Sequence, residues 1–169
     1  MIIIRTDRLI LSELEQKDAP FILELYNDPD FIKYIGDRGI RSLYDAEQFI
    51  ETGPRASYVE HGHGLYLVQL KDGTSIGICG LLKRDTLDDP DIGFAMLPGY
   101  RKNGYSFEAA QAAMNDGRKR LRLHRIVAVT SPGNEASIRL LEKMGLAYVG
   151  LVKINESDDE SNLYSMRTL

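Results

Sequence analysis

The stretch DIGFAMLPGYRKNGYSFEAA, residues 91–110, runs from an apolar strand through a tight loop into the start of a helix. DIGFAML reads as a strand over 91–97, and its internal Gly93 suggests a bulge or a close backbone approach. Pro98-Gly99 stops that strand. From Gly104 to Leu121, Phe107, Ala110, Met114 and Leu121 recur at helical spacing and mark the longest helix of the chain. A loop feeding a helix N-terminus presents unpaired backbone N–H groups and the positive end of the helix dipole, which suits phosphate. Gly104 has no Cβ, so an anion can approach the backbone there, and Arg101 and Lys102 add positive charge beside it. A pyrophosphate fits this arrangement. Neither GxxxxGK(S/T) nor GxGxxG occurs, which weakens nucleotide-hydrolysing and dinucleotide-dependent readings.

Upstream, RLILSE at 8–13 reads as a strand, and 17–26 as an amphipathic helix with Phe21, Ile22 and Leu25 on one face, ended by Asp28-Pro29. A second helix is expected over 44–56, with Ala46, Phe49 and Ile50 on one face and Gly53-Pro54 as a breaker. The β-rich runs 65–70 and 75–83 flank the turn signal Lys71-Asp72-Gly73 and read as a hairpin. Downstream come a strand at 125–130 (RIVAVT) and a helix at 134–144 with Gly145 as its left-handed C-terminal residue. Strands at 147–154 and 162–168 then flank an acidic loop over 156–160. The order is a mixed α/β, or α+β, layout.

With 169 residues the chain is expected to form a single domain over 1–169, since domains average about 150 residues. Its 43% hydrophobic and 27% charged residues are ordinary globular composition. No apolar run reaches the ~18 residues of a membrane helix, so the expectation is a cytoplasmic protein with no membrane partner. Cys79 stands alone and can form no internal disulfide. A net charge of −4 makes nucleic acid an unlikely partner, because such binding draws on many phosphate-neutralising Lys and Arg residues.

At residues 101–106 the chain resembles the GNAT superfamily of acetyl-CoA-dependent N-acetyltransferases, whose signature is Q/R-x-x-G-x-G/A. Here it reads Arg101-Lys102-Asn103-Gly104-Tyr105-Ser106, with the small Ser106 departing at the last position. NEASIRLLEKMGL at 134–146 is similar to the family's second motif, NxxSxxLLEKxGF. TDRLIL near the start and YSMRTL at the end look like the RimJ/RimL-type branch, the ribosomal-protein-alanine acetyltransferase type, so the resemblance covers nearly the whole chain.

The resemblance implies the acyl-CoA N-acyltransferase fold. That fold is a mostly antiparallel sheet of about seven strands, splayed between the fourth (91–97) and fifth (125–130) and flanked by about four helices. Acetyl-CoA, the acetyl donor, would enter the gap. Pantetheine would pair with backbone near Phe94, Ala95 and Met96. The pyrophosphate would sit on amides of Arg101, Lys102, Asn103, Gly104, Tyr105 and Ser106, and Asn134 would bond the pantetheine arm. A bulge at Gly93 would free the Met96 N–H as an oxyanion donor.

The implied reaction is direct attack of a primary amine on the thioester in a ternary complex. With reference pKa values of about 8 for an α-amine and about 10.4 for lysine, the amine needs a base or desolvation to expose its lone pair. Asp91 lies where the family carries an acidic residue, more often Glu, and the shorter side chain can act through a water. The leaving thiolate needs a proton or hydrogen bond. The family's Tyr position is Leu141 here, and Ser137 matches the serine of the RimJ/RimL-like branch, with Tyr148 and Tyr105 as fallback donors. The resemblance implies an amine acceptor, either a protein N-terminus or a small amine such as an antibiotic, and a homodimer. The amine site would be built by the first two helices, their 31–41 connection and the loop between the last two strands.

Blander readings stand beside these. Asp91 can simply order the turn after Asp89-Pro90, and Asn134 is a favoured helix N-cap whatever the function. Arg118, Lys119, Arg120, Arg122 and Arg125 read as a solvated basic face, with the coenzyme's ribose phosphate or RNA as the competing partner. His61 and His63 share the spacing of a metal pair but have no third ligand nearby, so no metal is expected. Cys79 reads as packed. The acidic run Glu156, Asp158, Asp159 and Glu160 is a solvated loop or an attraction for a cationic amine. The competing function is a non-catalytic acyl-CoA-binding or sensor domain.

Overall fold

The computed structural model describes residues 1–155 and 159–166. Part of the expected acidic loop (156–158), the end of the expected last strand (167–168) and Leu169 lie outside the described residues. The strands form one eight-stranded sheet in the order β1-β2-β3-β4-β5-β6-β8-β7. They are β1 (Ile2–Arg5), β2 (Leu9–Glu13), β3 (Leu65–Leu70), β4 (Ser75–Leu82), β5 (Asp91–Met96), β6 (Val127–Thr130), β7 (Leu146–Val152) and β8 (Ser161–Met166). The addition to the expected set is β1, whose β-branched run pairs antiparallel with β2 at the sheet edge.

Every pairing is antiparallel except β5 with β6, which is parallel and holds a single registered pair, Asp91 with Val127. Beside it, Val127 N–H donates to Pro90 O at 3.0 Å. Beyond that point the two strands diverge. On the other side of β5 the ladder with β4 continues unbroken from Leu82↔Asp91 to Gly77↔Met96. The splay therefore opens on the β6 side of β5, between the strands expected to part.

The unbroken register corrects the bulge expected at Gly93. A Cβ at that glycine would stand 3.2 Å from Leu82 Cδ1, so its bareness serves side-chain packing rather than a register shift. The backbone still faces the gap, for a different reason. Leu97 N–H donates to Ile76 O at 2.8 Å, and bonded and non-bonded pairs alternate in an antiparallel ladder. Phe94 and Met96 consequently fall on the non-bonded sites, with their N–H and C=O groups pointing away from β4.

Helices cover both faces. On one, α1 (Ala19–Tyr26), α2 (Pro29–Tyr34) and α3 (Leu43–Ile50) pack Ile22, Leu25, Phe31, Ala46 and Ile50 onto Leu65, Leu67 and Ile78. On the other, α5 (Tyr105–Lys119) and α6 (Glu135–Lys143) pack with Leu9, Leu11, Tyr66, Val68 and Leu81. The period-2 alternation along β3 divides its side chains between these two cores. Ala109, Ala110, Ala113 and Gly117 form the buried stripe of α5, and at Gly117 a Cβ would meet Leu81 Cδ1 at 2.7 Å. This close seating holds the helix against β4.

Two helical expectations are corrected. Asp28-Pro29 ends α1 but also starts α2, because Asp28 caps it by accepting from Phe31 N–H at 3.2 Å and Pro29 suits a first helical position. Gly53-Pro54 does not break the second helix. The chain passes through a π-helical turn at Glu51–Arg55 and continues as α4 (Ala56–His61), a wider turn that accommodates the proline. The short α2 and α4 add to the four helices expected.

Candidate active site

The diverging strands bound a cavity of about 860 Å³. Asp91, Phe94, Ala95, Asn134 and Ser137 line it, as does Leu141. Two motifs far apart in sequence, on β5 and α6, therefore meet across one space.

The loop follows the end of β5. Pro98–Tyr100 forms a 3-10 turn, Lys102 and Gly104 adopt left-handed φ values of 63° and 80°, and Gly104 is the N-cap of α5. A non-glycine residue at positive φ, as Lys102 is, is uncommon, and two positive-φ positions in three residues turn the backbone sharply. No side chain caps α5, and Glu108 N–H, which donates to Gly104 O at 3.0 Å, begins the intrahelical ladder. The N–H groups of Lys102, Asn103, Gly104, Tyr105, Ser106 and Phe107 have no acceptor among the described residues. That is the donor array an oxyanion of phosphate requires.

The loop is braced from β2's approach. Arg8 Nε pairs with Glu108 Oε2 at 2.6 Å, Arg8 Nη1 donates to Asn103 O at 2.9 Å, and the guanidinium lies 4.4 Å over the Tyr105 ring. Thr6 Oγ1 adds a 2.6 Å bond to Glu108 Oε1. Because a peptide unit is planar and trans, tethering Asn103 O on one side fixes the Gly104 N–H on the other. Arg8 was absent from the expected site residues, although it stands inside the quoted TDRLIL motif.

Arg101 needs correction. Its guanidinium adds no charge at the loop but donates to Asp28 Oδ2 and Asp30 Oδ2, each at 2.6 Å, and to Met96 O at 3.1 Å. It ties α2 to the end of β5. Its own amide donates to Pro98 O at 3.4 Å.

Asp91 is 2% exposed, and its Oδ1 accepts from Arg84 Nε at 3.0 Å. Burial pushes the carboxyl above its ordinary range, against the opposing pull of Arg84. Arg84 carries no sequence signal of its own. It reaches Asp91 because Leu82 is the register partner of Asp91 and Arg84 follows two residues later.

Asn134 caps α6 by accepting from Ser137 N–H at 3.3 Å, so the capping reading of this pair holds. The Ser137 hydroxyl makes no hydrogen bond among the described residues and belongs to a residue that lines the cavity. The fallback tyrosines are elsewhere: Tyr105 lies under Arg8, and Tyr148 is 55% exposed on β7 against Tyr164.

These features have counterparts in known proteins. The acetyltransferase (GNAT) domain family matches residues 8–147. The uncharacterised N-acetyltransferase YnaD of Bacillus subtilis is 31% identical over 150 residues, 89% of this chain and 85% of that protein. The chain belongs to the GNAT family of N-acetyltransferases. A GNAT acetyltransferase from Bacillus anthracis superposes with a TM-score of 0.79 at 28% identity, covering 98% of each chain. The ribosomal alpha-N-protein acetyltransferase RimL, solved in complex with coenzyme A, shares the fold with a TM-score of 0.84 at 15% identity, over 98% of this chain and 97% of that one. The GNAT fold thus accounts for the splayed sheet, including its one parallel pairing.

Outside the cavity the remaining candidates are accounted for by packing. His63 is buried with Nδ1 2.9 Å from Leu81 O, and burial lowers its pKa. Cys79 is fully buried, and burial raises its thiol pKa. In the basic cluster Arg120 binds Asp116 and Gly62 O, and Arg125 binds Asp89 and Ser165. Among the described residues no helix is long and apolar enough to cross a membrane.

Proposed function

We propose that this chain transfers the acetyl group of acetyl-CoA to a primary amine by direct attack in a ternary complex, with a protein N-terminal amine as the acceptor. One observation carries the reading: a single cavity joins the gap-facing backbone of β5, the buried Asp91 carboxylate and Ser137 of α6, and the chain leaves β5 directly into the loop that opens the uncapped α5. The family resemblance supplies acetyl-CoA as donor, and the fold shared with RimL favours a protein N-terminus over a small amine.

In this reading the amides of residues 102–106 hold the pyrophosphate and those of Phe94 and Met96 hold the pantetheine arm and thioester. Asp91 takes the proton from the acceptor's ammonium, directly or through a water, and the freed nitrogen lone pair attacks the thioester carbon. The Met96 N–H stabilises the oxyanion that develops. As the C–S bond breaks, the departing thiolate gains the second proton of the attacking nitrogen, relayed by the Ser137 hydroxyl, and the proton held by Asp91 is released to solvent. Leu141, apolar and 1% exposed, leaves that role to Ser137.

Thermal-shift titration with acetyl-CoA, CoA and ATP in parallel tests the coenzyme site. Ligand at about 100 times its Kd stabilises by about 2.7 kcal/mol, which for a domain of this size raises Tm by about 5–10 °C. Both CoA forms should give that shift and ATP little. No shift with any of them overturns the reading. Release of free CoA on adding N-terminal peptides then separates an enzyme from an acyl-CoA sensor.

Ser137→Ala is expected to lower kcat about tenfold to a hundredfold while leaving the acetyl-CoA Kd nearly unchanged. Steady-state kinetics beside the thermal shift distinguish this from equal losses in both, which would make Ser137 a binding residue.

A further inference from the structure

The acceptor end of the cavity holds donors that acetyl transfer itself does not use. Arg38, in the connection between α2 and α3, lines the cavity, and its guanidinium makes no hydrogen bond or ion pair among the described residues. Arg84 lines the same space and spends only Nε on Asp91, leaving both Nη groups without an acceptor among the described residues. Tyr26 on α1 also lines it, is 4% exposed, and its hydroxyl makes no hydrogen bond among the described residues. Phe31 and Phe49 pin the Tyr26 ring, with centroids 4.2 and 4.8 Å away, so the direction of the O–H bond's carrier is fixed. Both guanidiniums lie near enough to pull the phenol pKa down, yet burial outweighs them and keeps the hydroxyl a protonated donor.

The Tyr26 hydroxyl, Arg38 and the Arg84 Nη groups thus offer donors to one cavity without an acceptor among the described residues, the donor set an incoming anion would meet. No carboxylate among the described residues accepts from Arg38, the Nη groups of Arg84 or the Tyr26 hydroxyl. Among those that line the cavity, Asp37 is paired with Arg41 and Asp91 with Arg84 Nε, while Asp159 and Glu160 enter from the segment before β8, on the β6 side of the splay. Lys33 and Lys83 line the cavity too and add further positive charge.

We propose that Arg38, the Nη groups of Arg84 and the Tyr26 hydroxyl form an anion subsite for a carboxylate carried by the acceptor, a few bonds from its reacting amine. This deepens, and rests on, the acetyl-transfer reading above. Asp91 then meets the ammonium while the guanidiniums meet the carboxylate, so the cavity sorts the two charges of one acceptor. The same chemistry has two sources: a peptide N-terminus with Asp or Glu as its second residue, or a free α-amino acid.

The test measures kcat/KM, by CoA release, for the amidated tetrapeptides Ala-Glu-Ala-Ala, Ala-Gln-Ala-Ala and Ala-Lys-Ala-Ala and for free alanine. The Glu peptide should exceed the Gln peptide at least about tenfold, the size of a charge-assisted pair, and the Lys peptide should be poorest. Free alanine exceeding the Gln peptide would instead identify the free amino acid as the source. Arg38→Gln should bring the Glu-to-Gln ratio to near one, and Arg38→Glu should turn the preference toward the Lys peptide. Arg38 is exposed and makes no hydrogen bond or ion pair among the described residues, so neither change threatens folding. Equal rates on all acceptors, or an unchanged ratio in Arg38→Gln, overturns the proposal. Should no acceptor release CoA, acetyl transfer fails, and calorimetric titration of the Glu and Gln peptides into the wild type and Arg38→Gln still reads the subsite. Equal affinities there would overturn it too.

Discussion

Gly104→Glu is expected to abolish acetyl-CoA binding, measured as loss of the thermal shift and of calorimetric heat at ligand concentrations that saturate the wild type. Two effects add at this position. Its φ of 80° is left-handed, so any side chain is strained there by about 1–2 kcal/mol, and a Cβ would stand 3.3 Å from Arg8 Nη2. The larger effect is charge. A carboxylate about 4 Å from a phosphate costs about 4 kcal/mol at an effective dielectric of about 20, close to a thousandfold in affinity. Gly104→Ala separates the two, since it keeps the strain and lacks the charge. The neighbour it meets is the tip of a flexible arginine, which can shift, so Gly104→Ala should lose some stability and bind within about tenfold of wild type. A folded Gly104→Glu protein with unchanged affinity would overturn the assignment of the 101–106 loop to the coenzyme.

The comparison of these two substitutions also shows why this loop was legible in the sequence. A left-handed glycine at a strand-to-helix junction is a backbone requirement, and such requirements leave residue types behind them. Asn134 and Ser137 were legible for the same reason, as a helix cap written at fixed spacing. The β3–β4 hairpin and the long α5 followed from hydrophobic period and turn chemistry, and the place of the splay from the family resemblance. What the sequence hid was pairing across distance. Arg84 meets Asp91 only through the register of β4 on β5, and Arg8 meets Glu108 only because β2 runs past the start of α5. Arg101 misled for the same reason: its charge sat beside the loop in sequence, while Asp28 and Asp30 on α2 captured it in space. The Gly93 bulge failed because a glycine in a strand signals closeness without saying whether backbone or side chains approach, and here Leu82 and Leu65 fill the space.

Asp91→Asn is expected to reduce kcat by about a hundredfold to ten-thousandfold, the usual contribution of a positioned base, while leaving the protein at least as stable as wild type near pH 7.5. The stability half follows from the sign of the carboxyl's shift. Burial raises its folded-state pKa above the unfolded value of 3.8, and the pull of Arg84 only partly offsets this. The folded protein therefore binds this proton more tightly than the unfolded chain, and the group favours folding below its unfolded pKa. That contribution is lost as pH rises through the raised folded pKa. At neutral pH an ionised, 2% exposed Asp91 is thus a burden that a neutral isostere removes, and Asn keeps an oxygen for Arg84 Nε. Thermal melts of both proteins across pH should show the variant at or above wild type near pH 7.5, with the difference closing as pH falls below the unfolded value of 3.8, where the wild-type carboxyl is protonated in both states. Residual turnover of the variant should also lose the acid limb of its pH profile that the wild type shows in kcat/KM. A less stable variant would mean that the ion pair with Arg84 outweighs burial. Unchanged kcat would reduce Asp91 to a residue that orders the turn after Pro90, because a carboxylate buried against desolvation is retained in a cavity where its charge meets a proton on the substrate.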